Sequence, residues 1–208
     1  MEQVAYFIKQ RWPSFFGLIE LLARTLTVWR FGRRVHVAEE VARMTGVVDG
    51  RGAEIRALRA QDSAMLYQFL AELPADWLEH FQPHAFDHDG LVAVLGSRAF
   101  MNYGVFIDGK LVGYALLKVA PTGSAFIGLL VHPALSGLGL GRFIVAYLYW
   151  QASVAGLRAR STISKSNVAS LRSHQAVAGY KVVADLPNNY IMIEFPNAVR
   201  QQPELQLP

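Results

Sequence analysis

The chain is expected to fold as an α/β domain, a mixed twisted sheet of six or seven strands flanked by helices, with an extra N-terminal helical segment. Three features of its 208 residues predict this. From Ala53 onward, short runs rich in Val, Ile, Phe and Tyr alternate with longer segments of helical apolar period, which puts strands in one layer and helices on its faces. Asp108-Gly109-Lys110 sits between two such runs and is a hairpin signal, so part of the sheet is antiparallel. Val131 leads through Gly137, Gly139 and Gly141 into a long apolar segment, a strand-turn-helix unit.

The elements follow in order. Glu54 to Arg59 forms a strand, Gln61-Asp62-Ser63 caps a helix reaching about Leu73, and a second helix lies near Ala75 to Phe81. Asn102 to Ile107 and Leu111 to Val119 are the hairpin arms, followed by a strand at Ala125 to Val131 and a helix from Gly139 to Ala155. Arg158 to Ser164 is a strand, and Ser166-Asn167 supplies an N-cap for a helix from Val168 to Ala178. Lys181 to Leu186 and Tyr190 to Phe195 close the domain, joined through Pro187-Asn188-Asn189.

Residues 1–50 have a different character. Ser14 to Trp29 is nearly all apolar, with Gly17, Glu20, Arg24 and Thr27 forming a narrow polar stripe at helical spacing. It is shorter than the roughly twenty residues that cross a bilayer, and no small-residue cleavage site follows it. Two readings of this helix stand open. Phe15, Phe16, Leu18, Ile19, Leu22 and Leu26 would be buried against the following domain or a second subunit in a homodimer. Alternatively, residues 12–34 make a weak contact with a membrane surface, with Trp12 and Trp29 at the ends and Arg11, Arg30, Arg33 and Arg34 attracting anionic lipid. A short helix at Val37 to Met44 leads to the glycine-rich stretch Gly46 to Gly52, taken as a boundary. The division is an N-terminal segment 1–50, a domain 51–197 and a tail 198–208.

A composition of 52% hydrophobic and 17% charged residues is that of a globular protein. The absence of cysteine excludes a disulfide framework, a thiolate metal site and an acyl-cysteine intermediate, and suits a cytoplasmic location, in the interior or peripheral to the inner face of the membrane. No Lys/Arg run is interleaved with stacking aromatics, so no nucleic-acid partner is expected.

The glycine turn carries the chemistry. Without Cβ atoms, Gly137, Gly139 and Gly141 let backbone N–H groups converge on an anion at the positive end of the following helix. From Gly109 to Ala184 there is no Asp or Glu, while Lys110, Lys118, Arg142, Arg158, Arg160, Lys165, Arg172 and Lys181 are basic, which points to a small polyanion such as a pyrophosphate. A Rossmann site needs a third glycine where Arg142 stands and an acidic residue further on; a Walker A loop needs Gly-Lys-Ser/Thr where Gly141-Arg142-Phe143 stands.

Val131-His132-Pro133 followed by Ser136-Gly137-Leu138-Gly139-Leu140-Gly141, with Asn167-Val168-Ala169-Ser170 leading through His174 to Gly179-Tyr180, resembles the two signature segments of the GCN5-related N-acetyltransferase (GNAT) family. The resemblance spans roughly residues 54 to 195. It implies a GNAT-like fold, acetyl-CoA as co-substrate, and transfer of the acetyl group to a primary amine by direct attack in a ternary complex. A small-molecule acceptor, an amino sugar nucleotide or another metabolite amine, is expected over a protein, since the histidine-and-aromatic loop from Trp77 to Asp89 suggests a polar, compact acceptor. By the same resemblance, Leu129, Leu130 and Val131 lend backbone groups to the pantetheine arm, and Ser136, Gly137, Leu138, Gly139, Leu140, Gly141 and Arg142 hold the pyrophosphate. Asn167 would bond the pantetheine with Ser170 beside it. Ser136 replaces the family's usual Arg or Gln, His174 its usual Tyr, and one extra residue precedes Gly179.

His174, one turn after Ser170, is the first catalytic candidate, as acid for the leaving thiolate or base for the amine. The stretch from Trp77 to Asp89 concentrates His80, His84, His88, Glu79, Asp87 and Asp89 among aromatics, and His84 and Asp87, between Phe81 and Phe86, are candidates for acceptor recognition and proton removal. The spacing of His84, Asp87, His88 and Asp89 matches no strong zinc motif, so no metal is expected. Two alternatives from other classes are a non-catalytic acyl-CoA-binding or regulatory module, suggested by Ser136 and by the absence of a Glu on Ala125 to Val131, and a membrane-peripheral assembly protein whose N-terminal helix matters most.

Overall fold

A computed structural model describes the backbone of residues 13–81 and 83–208, and the side chains of residues 21–81 and 83–208. Phe15, Phe16, Leu18 and Ile19, with Arg11 and Trp12, therefore lie outside the described side chains. One helix, α1 (Pro13–Glu40), leads into strands β1 (Met44–Val48) and β2 (Arg51–Ala57). A 3-10 turn at Ala60–Asp62, helix α2 (Ser63–Ala71), a second 3-10 turn at Ala75–Leu78 and helix α3 (His88–Leu95) follow. Strands β3 (Phe100–Ile107), β4 (Lys110–Val119) and β5 (Ser124–Val131) form a meander that ends in a 3-10 turn, Pro133–Leu135, and the long helix α4 (Leu140–Val154). Strand β6 (Arg158–Ser164), helix α5 (Val168–Gln175), strands β7 (Lys181–Leu186) and β8 (Tyr190–Glu194) and a two-residue strand β9 (Gln206–Leu207) complete it.

The sheet is mixed, as expected, but has nine strands in the order β7-β8-β6-β5-β4-β3-β2-β1-β9. The additions are at one edge. Asp49 and Gly50 both take left-handed backbone (φ 53° and 71°), so the stretch read as a boundary is a tight hairpin turn joining β1 to β2. The division at residue 50 falls inside that turn. A Cβ on Gly46 would stand 1.8 Å from the Leu205 carbonyl oxygen, so this glycine serves a close approach of the C-terminal segment. Val47 N–H donates to Leu205 O at 2.8 Å and Leu205 is buried, which ties residues 198–208 into the sheet.

Strand alternation sends Tyr103, Ala115 and Leu117 to one face and Phe106, Tyr114 and Leu116 to the other, giving two cores. The first is covered by α1 and α4. The N-terminal segment read as two helices is the single helix α1, continuous through Gly32 to Glu40 because Phe31, Val35 and Ala38 are buried on this face, and Met44 belongs to β1. The second is covered by Leu66, Phe69 and Leu70 of α2 and Leu91 and Leu95 of α3. Helix α4 is apolar nearly all round because it is central: Tyr147 Oη donates to the Ala42 carbonyl beyond α1 (2.6 Å), and Arg200 N–H of the C-terminal segment donates to Ser153 Oγ (3.0 Å).

One irregularity positions the site. Strands β5 and β6 run parallel and pair only at Ser124↔Arg158, Ala125↔Ala159 and Phe126↔Arg160. Beyond Phe126 they splay, opening a gap in the middle of the sheet.

Candidate active site

His132 N–H donates to Val112 O (2.8 Å), which fixes the phase of the β4–β5 ladder: even-numbered residues of β5 bond to β4, and odd-numbered ones turn their N–H and C=O groups toward β6. Leu129 and Val131 therefore present backbone donors and acceptors to the gap. Leu130 does not; its amide belongs to β4 and its side chain is buried in the second core. Trp77 Nε1 donates to Val131 O at 2.8 Å, bringing the segment before α3 over the open end of β5.

The chain leaves β5 through the 3-10 turn and enters α4 through Ser136 to Gly139. Gly137 and Gly139 have φ of 88° and 80°, conformations that side-chain-bearing residues rarely adopt. Gly139 is the N-cap of α4, no side chain caps the helix and its first turn has no acidic residue. The first helical bond is Phe143 N–H to Gly139 O, so the N–H groups of Leu140, Gly141 and Arg142 have no partner within the helix. Here a fifteen-residue helix directs its positive end at a concave backbone. Leu140 itself is buried, Leu138 and Gly141 are partly covered, and Ser136, Gly137 and Arg142 are exposed. Across the turn, Ser173 Oγ lies 3.5 Å from where a Gly141 Cβ would be, so α5 forms the other wall. Asn167 Oδ1 caps α5 by accepting from Ser170 N–H (3.0 Å), leaving its amide NH₂ free of that duty.

The acid-free run is only in part a phosphate cradle. Arg160 and Lys181 pair with Glu194, Lys165 pairs with Asp185, and Arg158 donates to Thr122 O at the far end of β5. Arg142 and Arg172, the latter in the last turn of α5, are the basic residues of the run carried by the two helices beside the glycine turn. An open groove of about 530 Å³, bordered by Thr45, Glu54, Arg56, Met65 and Phe106, lies toward the other edge of the sheet. Its charged groups are already paired, Glu54 with Arg43 and Arg56 with Asp62.

The family model of the acetyltransferase (GNAT) family matches residues 63–180, a span from α2 through the splayed strands and glycine turn to the end of the α5 segment. The chain belongs to the GNAT acetyltransferase family. Among solved structures, the GNAT domain of PAT from S. lividans is similar with a TM-score of 0.65 and 15% identity, over 74% of this chain and 96% of that one. Ribosomal-protein-S5-alanine acetyltransferase from Vibrio fischeri gives 0.60 and 14%, over 74% and 97%. Aminoglycoside acetyltransferase AAC(6')-Ib, solved with coenzyme A, gives 0.55 and 20%, over 69% and 95%. These likenesses show a shared fold. The search of curated proteins gives no match.

Within this GNAT domain, the three residues expected to handle protons are otherwise engaged. His174 is 1% exposed; its Nδ1 donates to the Ser170 carbonyl (2.8 Å), and its ring stacks on Phe195. Its Nε2 is buried without a partner among the described residues. A histidine is shorter than the family's usual Tyr, and here it fills the core under α5. His84 has both ring nitrogens occupied, Nδ1 by Ala85 O (2.8 Å) and Nε2 by Tyr114 Oη (2.9 Å). Tyr114 Oη donates to Asn102 Oδ1 (2.8 Å), so His84 anchors the segment over the second core. Asp87 is the N-cap of α3, accepting from Gly90 N–H at 2.7 Å. His88 contacts only its neighbour Asp89 in this cluster, and no group of three metal-ligating side chains converges among the described residues.

Burial pushes the imidazoles of His174 and His84 below the usual histidine range, because a low-dielectric surrounding disfavours the charged form. The native state keeps His174 neutral, whereas the unfolded chain takes up a proton there below about pH 6.5. Its contribution to stability is therefore complete above that value and is lost as pH falls toward the depressed native value. Urea midpoints are expected to drop between pH 7.5 and 5.5, and His174→Gln should flatten that drop. An unchanged midpoint across this window would contradict the assignment.

The sequence also hid a pair. His80 Nδ1 meets Tyr190 Oη at 3.4 Å with the rings edge to face. Tyr190 pairs with Ser164 at the splayed end of β6, and Trp77, one helical turn before His80, touches the end of β5. The turn from Trp77 to His80 thus reaches both lips of the gap, β5 through Trp77 and β6 through the His80–Tyr190 contact. His80 stood in plain view as one of three clustered histidines, but its partner lies 110 residues away.

Proposed function

We propose that the protein is an acetyl-CoA-dependent N-acetyltransferase acting on the primary amine of a small molecule. The observation that carries this reading is the conjunction of the uncapped, doubly left-handed glycine turn with the inward-facing amides of Leu129 and Val131 at the splayed strands. The N–H groups from Gly137 to Arg142 would hold the pyrophosphate, the Leu129 and Val131 amides the pantetheine arm, and the free amide NH₂ of Asn167 would add a contact to that arm. Ser170 lines the same end of α5. Bound acetyl-CoA supplies the acetyl thioester and the thiolate leaving group.

His80 is the group we assign to proton removal. With Nδ1–H donating to Tyr190, Nε2 keeps a lone pair for the amine proton, and the imidazole is exposed. Trp77 orients the Val131 peptide through its carbonyl. From Ala60 to Ser97 the chain carries Asp62, Glu72, Asp76, Glu79, Asp87 and Asp89 with no Lys or Arg, and Asp76 and Glu79 adjoin Trp77 and His80. That charge favours a cationic amine over an anionic amino sugar nucleotide. AAC(6')-Ib, whose name gives an aminoglycoside as its substrate, is a relative in fold with an acceptor of that charge class.

Thiol release from acetyl-CoA against a panel of amines tests the proposal. Turnover is expected with small cationic amines and to exceed that with nucleotide-linked amino sugars. Thermal stabilisation by acetyl-CoA without thiol release for any amine would instead identify a non-catalytic acyl-CoA-binding module.

A further inference from the structure

The end of the molecule opposite the glycine turn carries a second charge pattern. Along α1, from Leu21 to Ala38, there is no Asp or Glu, while Arg24, Arg30, Arg33 and Arg34 are present. Arg24 donates to Ala93 O of α3 (3.3 Å) and Arg30 to Pro121 O of the β4–β5 turn (2.8 Å), so the helix crosses the lower end of the sheet. Two more cations join it there. The Arg98 side chain lies 3.9 Å from the Cβ position of Gly32, and Arg158 donates to Thr122 O (3.1 Å) beside the turn that Phe31 packs on through Gly123. The contributing segments, Gly90–Ile107 and Gly109–Ala184, contain no carboxylate. Beside these arginines, α1 exposes large apolar side chains: Leu21 at 59%, Leu22 at 61%, Leu26 at 43% and Trp29 at 81%.

We infer that this face docks on the surface of an anionic lipid bilayer. Arginines that reach carbonyl oxygens keep their full charge, so the face attracts a negative surface while its Leu and Trp side chains enter the boundary between headgroups and acyl chains. An interfacial Trp flanked by cations suits that depth. A second copy of the chain is a poor occupant, since a two-fold contact through this face would set arginines against arginines. A nucleic acid would satisfy the charges but leave Leu21, Leu22 and Leu26 exposed. No described helix is long and apolar enough to cross a membrane, so the contact is peripheral. The face lies at the start of β5 and the glycine turn beyond its end, eight residues apart, or roughly 25 Å at strand spacing. Docking therefore leaves the glycine turn facing water.

The test is co-sedimentation of the full chain with phosphatidylcholine vesicles with and without phosphatidylglycerol, at low and high salt, with sedimentation velocity of the protein alone. Binding is expected only with phosphatidylglycerol and is expected to be lost at high salt. Arg33→Glu/Arg34→Glu should weaken it at least tenfold, each cation near an anionic surface being worth about a factor of five. Trp29→Ser should weaken it with the charge retained, and both variants should keep the parent's thermal response to acetyl-CoA. Equal binding to neutral vesicles, or no vesicle binding, would overturn the inference. A dimer dispersed by Trp29→Ser without vesicle binding would assign the face to a second copy, and binding to an RNA duplex but not to vesicles would assign it to nucleic acid. If the charge variants do not fold, the lipid and salt dependence of the parent decides.

Discussion

Gly139→Val abolishes the thermal stabilisation that acetyl-CoA confers on the parent protein. A ligand that binds only the native state at about one hundred times its dissociation constant adds about 2.7 kcal/mol, which for a chain of this size is an upward shift of about 5–10 °C. Gly139 holds φ 80°, and a β-branched residue there is strained whatever space surrounds it. The Cβ itself would find ordinary contact, 3.6 Å from Leu207, so the fold survives while the turn that aims the N–H groups of Leu140 to Arg142 does not. The variant should melt a few degrees below the parent and show no response to acetyl-CoA, by thermal denaturation with and without ligand. A folded variant that still shifts like the parent would move the cofactor site away from this turn.

The second large effect separates two histidines. His80→Ala is expected to lower turnover by about 10² to 10³ with acetyl-CoA binding unchanged, because proton transfer by a placed side chain is worth roughly that much. Tyr190→Phe should lower it less, through lost orientation of the imidazole. His174→Ala should behave in the opposite way, costing about 1–3 kcal/mol of stability from the core under α5 while turnover stays within about tenfold of the parent. Steady-state kinetics and thermal melts of the three variants distinguish the roles. A catalytically silent His80→Ala beside an inactive, well-folded His174→Ala would reverse the assignment, restoring the role that the family's tyrosine position suggests.

What the sequence made legible was local. Asp108-Gly109 between alternating runs announces a hairpin, and the same dipeptide at Asp49-Gly50 forms the same left-handed turn. There it was masked by Gly46 and Gly52, whose spacing reads as a linker until Leu205 is seen packed against Gly46. The glycine turn was legible because its chemistry lies in consecutive residues. Leu130 was not separable from Leu129 and Val131, since only the ladder phase set by His132 and Val112 says which amides face β6. The proton-handling residues were the least legible. His84, Asp87 and His174 have the right chemistry, but their availability depends on Ala85, Tyr114, Gly90 and Ser170, contacts that no spacing rule distinguishes from an open site. The His80–Tyr190 bridge needs the β6–β8 register.

Residue-resolved amide hydrogen exchange with and without acetyl-CoA reports whether acetyl-CoA lies in the gap between β5 and β6 with its pyrophosphate on the glycine turn. Slowed exchange is expected at Leu129, Val131 and Gly137 to Arg142, and no change at Leu130, whose amide is already held by β4. Protection confined to the groove at Thr45 and Glu54, with Leu129 and the glycine turn exchanging as in the free protein, would contradict it.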